Sequence, residues 1–245
     1  MASAVHVSAF QKGDHICLFY RDIDEQMSTL APFVRVGLER NERCFLVLPA
    51  DQADHLISDL HALGIDTAGE RERGALILLQ PEEIYTCDGG FDRARMIGAL
   101  HEAVAEALQM GFSGFRAAGD MGWAAEQIGG CVELPEYEAT MEKFYPQQPA
   151  LGLCMYDTRR FGSDELRDLM DEHRFALTTP SPSTRAIRVR KGSLIADIVF
   201  DRHAPSLFHY KVQRESSPEL LSVGQESSLN GALGTVKSML RFYPK

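Results

Sequence analysis

Short apolar runs alternate with longer amphipathic segments along the first 173 residues of the chain. The short runs predict strands at residues 15–20, 44–48, 75–79, 115–118 and 151–156. Apolar side chains at helical spacing predict helices over residues 24–40, 51–63, 91–110, 134–144 and 163–173. Strands that alternate with helices form right-handed βαβ units, and continuously apolar strands suit a sheet that is covered on both faces. The pattern therefore predicts an α/β fold with a mostly parallel sheet between two layers of helices.

The pattern changes after residue 178. Residues 179–184 are rich in proline, serine and threonine, which indicates a linker. Beyond it, four closely spaced apolar runs and one amphipathic helix predict a small antiparallel sheet with a helix. We therefore expect one domain at residues 1–178 and a small α+β domain of unknown role at residues 185–245. A unit of about 60 residues is marginally stable alone, so it could pack on the first domain.

The net charge of −10 is unevenly distributed. Residues 1–184 hold 15 Lys and Arg against 30 Asp and Glu, whereas residues 185–245 hold 10 against 5. The acidic part would be repelled by DNA and by anionic membranes, so neither is an expected partner. Only residues 185–245 could favour them, and that basic segment could equally dock on the acidic part. The five cysteines are scattered without a CxxC pair, which favours free thiols in a reducing compartment. With no apolar run of about 20 residues and no secretory signal, the pattern predicts a cytoplasmic protein.

A parallel α/β sheet binds its ligand at the carboxyl ends of its strands, so the turn after Tyr20 is the first candidate site. A phosphate-binding loop would carry glycines and a lysine there. This turn has neither, and Asp22, Asp24 and Glu25 would oppose a triphosphate. The dinucleotide pattern GxGxxG is also absent. We therefore expect no cofactor, with a degenerate nucleotide site as an alternative.

An ordered set of short motifs runs through residues 10–178. The motifs are Gly13-Asp-His-Ile-Cys-Leu-Phe-Tyr20, Gly37-Leu-Glu-Arg-Asn-Glu-Arg-Cys44, Tyr85 with Gly90-Phe91, Arg116-Ala-Ala-Gly-Asp-Met-Gly-Trp123, Glu136-Tyr-Glu138, Leu153-Cys-Met-Tyr-Asp157 and His173. In order and spacing this set resembles the MEDS domain, the DcmR-like sensory domain of methanogen and methylotroph regulators. The resemblance implies a RecA/KaiC-like fold without its phosphate-binding loop. It also implies a sensory role for small hydrocarbon derivatives in proteins that control transcription or signalling.

The chain departs from the family pattern at three positions. Asp120 stands where the family usually has Glu, Met155 where Gln is common, and Arg174 where Pro is common. Because of these departures, the ligand specificity cannot be carried over from the family. They do not affect the expectation for the fold. Residues 185–245 lie outside the resemblance.

The candidate ligand-binding residues lie on the predicted strands, just after them, or on one predicted helix. They are His15, Tyr20, Arg116, Asp120, Met121, Trp123, Tyr137, Glu138, Cys154 and Tyr156. Met121 and Trp123 offer an adaptable apolar wall, and the other side chains offer polar tips. Each also has a structural interpretation. Arg116 and Asp120 could form an ion pair beside a core aromatic, and Glu138 could be the solvated flank of its helix.

Some of these residues could also form a metal site or a nucleophilic site. Cys154 and Asp157, with His15 and His173, could in principle ligate a metal, and Cys154 with a histidine could act as a nucleophile. The spacing is irregular, with no pair three or four residues apart on a helix. No oxyanion pattern accompanies the thiol. We therefore expect neither a metal site nor a catalytic residue.

These observations predict a non-enzymatic sensory protein. It would bind a small, largely apolar ligand at the carboxyl ends of the strands and regulate transcription or a partner. That partner would be a regulatory protein or a second copy of the chain. Two alternatives stay open, which are a ligand-free protein-interaction regulator and a degenerate KaiC-like nucleotide binder or ATPase.

Overall fold

The computed structural model describes residues 10–85, 91–125, 134–173, 175–178, 186–191, 193–200, 208–214, 220–226 and 229–242. The strands are β1 (His15–Tyr20), β2 (Glu42–Val47), β3 (Leu76–Leu79), β4 (Gly114–Asp120), β5 (Ala150–Asp157), β6 (Phe175–Thr178), β7 (Ala186–Lys191), β8 (Leu194–Phe200), β9 (Phe208–Arg214) and β10 (Leu220–Glu226). The helices are α1 (Ile23–Glu39), α2 (Ala50–Ala62), α3 (Thr67–Glu72), α4 (Pro81–Ile84), α5 (Arg93–Gln109), α6 (Gly122–Ala125), α7 (Leu134–Phe144), α8 (Ser163–Glu172) and α9 (Leu229–Phe242).

All these strands belong to one sheet of order β10-β9-β8-β7-β6-β1-β5-β4-β2-β3. The six strands from β6 to β3 are parallel, and β7 to β10 continue the sheet with antiparallel pairs. β1, β4 and β5 are buried along their whole length, as expected for strands with helices on both faces. The prediction of a mostly parallel α/β sheet followed by antiparallel strands is confirmed.

Helices cover the central strands from both sides. Asp22 caps α1 by accepting a hydrogen bond from the backbone N–H of Glu25, and α1 packs on β1, β2 and β4. Gly37 of α1 allows this close approach, because an added Cβ would lie 2.6 Å from the Cys44 Sγ. On the opposite face, α5 packs on β4 and α7 packs on α8. No helix among the described residues is long and apolar enough to cross a bilayer.

The C-terminal part of the chain continues the sheet instead of standing apart from it. β7 pairs with β6, and α9 packs on β8, β9 and β10 through buried Leu233, Val236 and Leu240. The predicted linker at 179–184 lies outside the described residues. The division into two domains stays a prediction, although hydrogen bonds between β6 and β7 join the two parts.

The sequence periodicity did not predict some short elements, and for two strands it predicted shorter bounds than the structure has. β6, with four residues, was not predicted, and neither were α3, α4 and α6. β2 begins at Glu42 and not at Cys44, because Glu42 and Arg43 are buried and paired despite their charge. β4 likewise runs on to Asp120, which is 1% exposed.

Candidate functional site

The carboxyl ends of β4 and β5 carry polar side chains on both faces of the sheet. Successive side chains of a strand point to opposite faces. Asp120 and Met155 face α1, where both lie within hydrogen-bonding distance of Gln26. Gly119 and Cys154 face the other side, where both line a cavity beneath α5 and α7. The candidate residues therefore lie on two opposite faces of the sheet.

The Asp120 network is the group on the α1 face, and it consists of Tyr20, Gln26, Gln52 and Asp120. The Tyr20 hydroxyl donates to Asp120 Oδ2. The amide nitrogens of Gln26 and Gln52 lie 3.2 and 3.3 Å from the same oxygen. Asp120 Oδ1 accepts from the backbone N–H of Gly122 at 2.9 Å. Both carboxylate oxygens are thus occupied by groups of the chain itself.

Burial dominates the electrostatics of this network. It raises the pKa of Asp120, although hydrogen bonds from Tyr20 and Gly122 work in the opposite direction. Burial and the neighbouring carboxylate also raise the pKa of Tyr20, so its hydroxyl remains a proton donor. The network is suited to hold the ends of β1 and β4 together.

Arg116 lies apart from the Asp120 network, deeper along the same face. Its Nε donates to Glu42 Oε2 at 2.7 Å, its Nη1 donates to the Phe33 carbonyl at 3.2 Å, and its guanidinium lies over the Phe33 ring. The side chain is fully buried. Its ion-pair partner is Glu42 and not Asp120, the partner that the sequence suggested. This geometry suits a structural role.

The histidine–glutamate cluster lies on the opposite face and contains His15, Glu138, Cys154, Tyr156 and His173. Glu138 Oε2 lies 3.3 Å from His15 Nε2, 3.2 Å from His173 Nε2 and 3.5 Å from Cys154 Sγ. The Tyr156 hydroxyl donates to Glu138 Oε1. All five side chains are buried, so Glu138 is not the solvated flank of its helix.

The buried glutamate and the two histidines stabilise each other's charged forms. Burial favours the neutral form of Glu138, but His173 and His15 outweigh it and lower the pKa of this carboxyl. Burial also disfavours the charged form of His15, yet Glu138 and Glu142 raise its pKa. Burial raises the pKa of Cys154, and Glu138 adds to the effect, so the thiol is a poor nucleophile in the absence of a cation.

An aromatic cavity adjoins this cluster. The Trp123 ring stacks on Tyr85 with centroids 4.6 Å apart, Phe91 lies 5.0 Å from Trp123, and Tyr137 meets Phe91 edge to face. Two of these rings, Tyr85 and Tyr137, line a cavity of about 20 Å³. Its walls include Val47, Tyr85, Met96, Tyr137, Tyr145 and Cys154. Within the described part of the chain, the Trp123 indole N–H has no hydrogen-bond partner.

The structure brings most of the predicted residues into these three groups. Tyr20 and Asp120 form part of the network, while His15, Glu138, Cys154 and Tyr156 form the cluster. Tyr137 lines the cavity, and Trp123 stacks on Tyr85, another lining residue. Met121 is buried at the end of β4, where its N–H bonds to the Met155 carbonyl at 2.9 Å.

Sequence reasoning missed several members of the three groups. Gln26 and Gln52 lie on helices and carry no motif. Tyr85 and Phe91 stood in the quoted motifs without an assigned role. His173 was considered only for a metal or nucleophile site, and Tyr145 was not considered. Tyr85 and Phe91 could have been found from their place in the motif set, whereas Tyr145 lies outside it.

The chain is similar to known regulators over about two thirds of its length. The family model described as MEthanogen/methylotroph, DcmR Sensory domain (MEDS) matches residues 14–174. A protein named transcriptional repressor DcmR, from Methylorubrum extorquens strain DM4, is 27% identical over 161 residues. That match covers 65% of this chain and 58% of the relative, so the chain spans little more than half of the relative's length.

Solved structures show the likeness of the fold. A KaiC-like protein of Pyrococcus horikoshii OT3 superposes with a TM-score of 0.50 and 10% identity, over 94% of this chain and 95% of that one. The flagellar accessory protein FlaH of Methanocaldococcus jannaschii gives a TM-score of 0.47 and 11% identity, over 89% and 91% of the two chains. The first of these supports a RecA-like fold. Because the family model covers residues 14–174, well over half of the sequence, the chain belongs to the MEDS family.

Proposed function

We propose that this chain senses a very small, largely apolar organic molecule, which binds in the aromatic cavity between β4, β5, α5 and α7. The observation that carries the proposal is the cavity itself. Aliphatic side chains and tyrosine rings line it, and the Trp123 ring stacks on Tyr85, one of the lining residues. Apolar pockets with a few convergent polar groups are the usual sites for small ligands.

The size of the cavity limits the ligand. About 20 Å³ is room for about one water molecule. A ligand of one or two carbon atoms would fit after small shifts of the surrounding rings, whereas a nucleotide or a sugar would not. Three tyrosines, Tyr85, Tyr137 and Tyr145, bring phenol groups to the cavity wall. They, and the Trp123 indole N–H, favour a ligand with one halogen or oxygen atom.

Ligand binding could change the conformation of the sheet through contacts at the end of β4. Trp123 lies in α6, one residue after Gly122, whose N–H bonds to Asp120. Tyr85 packs against Gly119, the residue before Asp120. A ligand that moves either ring therefore acts on the end of β4. The relative named a transcriptional repressor supports a regulatory output, which would reach a partner protein or a second copy of the chain.

A non-enzymatic role follows from the same contacts. Burial raises the pKa of Cys154, the thiol that lines the cavity, so a reactive thiolate is disfavoured. The two-residue turn between β1 and α1 is followed by Asp24 and Glu25, which repel phosphate. We therefore expect no response to ATP.

The test uses thermal unfolding and the fluorescence of the single tryptophan, against one- and two-carbon halides, alcohols and amines. A ligand at about 100 times its dissociation constant adds about 2.7 kcal/mol, a shift of roughly 5 to 10 °C. Ala117→Val adds two methyl groups to the cavity wall and should abolish the shift. Gly98→Ala, at a helix position with open space, should keep it.

Two results would contradict this proposal. One is a shift with ATP–Mg²⁺ alone, which would indicate a surviving nucleotide site. The other is a ligand shift that Ala117→Val leaves unchanged, which would place the ligand elsewhere.

A further inference from the structure

Four side chains of metal-ligating type converge from distant parts of the sequence. His15 begins β1, Cys154 lies in β5, Glu138 lies in α7, and His173 follows α8. One ligand atom from each lies within 4.8 Å of every other, and all four side chains are buried. We call these four residues the four-ligand cluster. Buried charged groups persist only where something compensates them.

The spacings within the four-ligand cluster fit a tetrahedral metal ion. Zinc lies about 2.0 to 2.3 Å from nitrogen, oxygen and sulfur ligands, so neighbouring ligand atoms of a tetrahedron are roughly 3.3 to 3.7 Å apart. Glu138 Oε2 lies 3.3 Å from His15 Nε2, 3.2 Å from His173 Nε2 and 3.5 Å from Cys154 Sγ. His15 Nε2 lies 3.4 Å from Cys154 Sγ.

Surrounding contacts hold two of the four ligand side chains, His173 and Glu138. His173 Nδ1 lies 2.7 Å from the Leu169 carbonyl, which fixes the proton on Nδ1 and leaves the Nε2 lone pair for a metal. Although His173 Nε2 is close to Glu138, it has no partner with hydrogen-bond geometry among the described residues. The Tyr156 hydroxyl holds the second oxygen of Glu138. Such outer contacts are typical of metal sites.

Charge also favours a divalent ion at this place. Without a metal, any positive charge on the histidines would be held on two rings whose centroids are only 4.3 Å apart. A divalent ion with one carboxylate, one thiolate and two neutral imidazoles forms a neutral unit, which suits full burial. On binding, the ion displaces the thiol proton of Cys154 and any imidazolium proton to solvent.

We infer that the four-ligand cluster binds one divalent transition-metal ion, of which zinc fits the mixed nitrogen, oxygen and sulfur ligands best. Four protein ligands close the coordination sphere, so the ion is structural. It fixes α7 and the end of α8 to β1 and β5. The aromatic cavity shares Cys154 with this site, but metal binding is measured without the proposed organic ligand, so the two proposals can fail separately.

The experiment measures bound metal directly. The full chain is unfolded in denaturant with chelator under reducing conditions, refolded with Zn²⁺ or Co²⁺, desalted, and analysed by mass spectrometry of its metal content. We expect one ion per chain. The cobalt form should show the visible bands of tetrahedral Co²⁺ and the near-ultraviolet band of a thiolate ligand.

Variants assign the ligands. Cys154→Ser should remove the thiolate band, whereas Cys44→Ser, at another buried cysteine, beneath α1, should keep it. Tyr156→Phe removes only the hydrogen bond to Glu138 and should weaken metal binding by roughly 10-fold or more. This variant keeps the test decisive if Cys154→Ser does not fold.

The inference is overturned if the refolded wild-type chain retains no metal above the trace that a chelator-treated sample holds. It is also overturned if the thiolate band of the cobalt form survives Cys154→Ser, or if Tyr156→Phe binds metal with unchanged affinity. A metal-free wild-type chain that unfolds at the same temperature with and without Zn²⁺ would count against it equally.

Discussion

Asp14 ties the start of the parallel sheet to the C-terminal helix. Its carboxylate is fully buried just before β1, and it accepts from the backbone N–H of Gln11 at 2.9 Å. It pairs with Lys237 and with Arg241, both from α9. Lys237 is 4% exposed, and its ammonium also lies 4.8 Å from the centre of the Phe10 ring. We predict that Asp14→Asn strongly destabilises the fold.

The magnitude follows from the burial of the two cations. Removing one partner of a buried ion pair costs about 3 to 5 kcal/mol, because the other charge is left uncompensated. Lys237 is such a partner, whereas the Arg241 side chain is 40% exposed and contributes about 0 to 1 kcal/mol. The loss should therefore be about 3 to 5 kcal/mol, nearly all of it through Lys237. Adding Lys237→Met to Asp14→Asn should restore most of it, since Met packs against Phe10 without a charge.

The assay is equilibrium unfolding in urea, followed by circular dichroism, for the two single variants and the double variant. Glu106→Gln is the control, because the Glu106 side chain, which pairs with Arg43, is 59% exposed. It should cost less than about 1 kcal/mol. The reasoning is refuted if Asp14→Asn costs no more than this control, or if the double variant is no more stable than Asp14→Asn.

Three further predictions concern single positions. Gly37→Ala should cost about 1 to 3 kcal/mol by urea unfolding, because its Cβ would lie 2.6 Å from the Cys44 Sγ and 2.7 Å from the Arg116 Cδ. Gly98→Ala, where an added Cβ meets nothing within 4 Å, should raise the free energy of unfolding by about 0.5 to 1 kcal/mol. Equal effects of the two substitutions would contradict the close packing around Gly37. Burial raises the pKa of Cys44 to about 12, so iodoacetamide at neutral pH should leave this thiol unmodified in the native protein, as peptide mass mapping would show. Burial lowers the pKa of Lys237 to about 8 and outweighs the attraction of Asp14. Between this value and its ordinary value of 10.5, the unfolded state binds more protons than the native state. Wild-type stability, compared with Lys237→Met, should therefore rise from pH 8 to pH 10, and a flat difference would count against the lowered pKa.

The regular elements could be read from the sequence because each has its own local signal. The strand at residues 15–20 was predicted with its observed bounds, and the apolar stripe of α5 predicted a helix of nearly the observed length. β6 gave no such signal, because four residues are too few to show a period. It forms where β1 offers it an open edge on one side and β7 pairs with it on the other. Its existence depends on its neighbours.

The site residues could be chosen from the sequence, but their grouping could not. His15 and His173 meet because β6 lies beside β1, and that strand order is not contained in any periodicity. Arg116 lies beside Glu42 because β4 pairs with β2. The irregular spacing that argued against a metal site is therefore a weak argument. Residues on neighbouring strands meet whatever their separation along the chain.

The Asp120 network explains why the proposed ligand site lies on the other face of the sheet. A doubly wound sheet ordinarily binds its ligand at the carboxyl ends of its central strands. Here Tyr20, Gln26 and Gln52 already use the oxygens of Asp120, and the two-residue turn before α1 leaves no loop for a phosphate. The same strand end presents Gly119 to the aromatic cavity, where a side chain would collide with Tyr85. A ligand that moves Tyr85 would therefore act on the backbone that positions Asp120. The Asp120 network on the α1 face would then be the part of the protein that responds to the ligand.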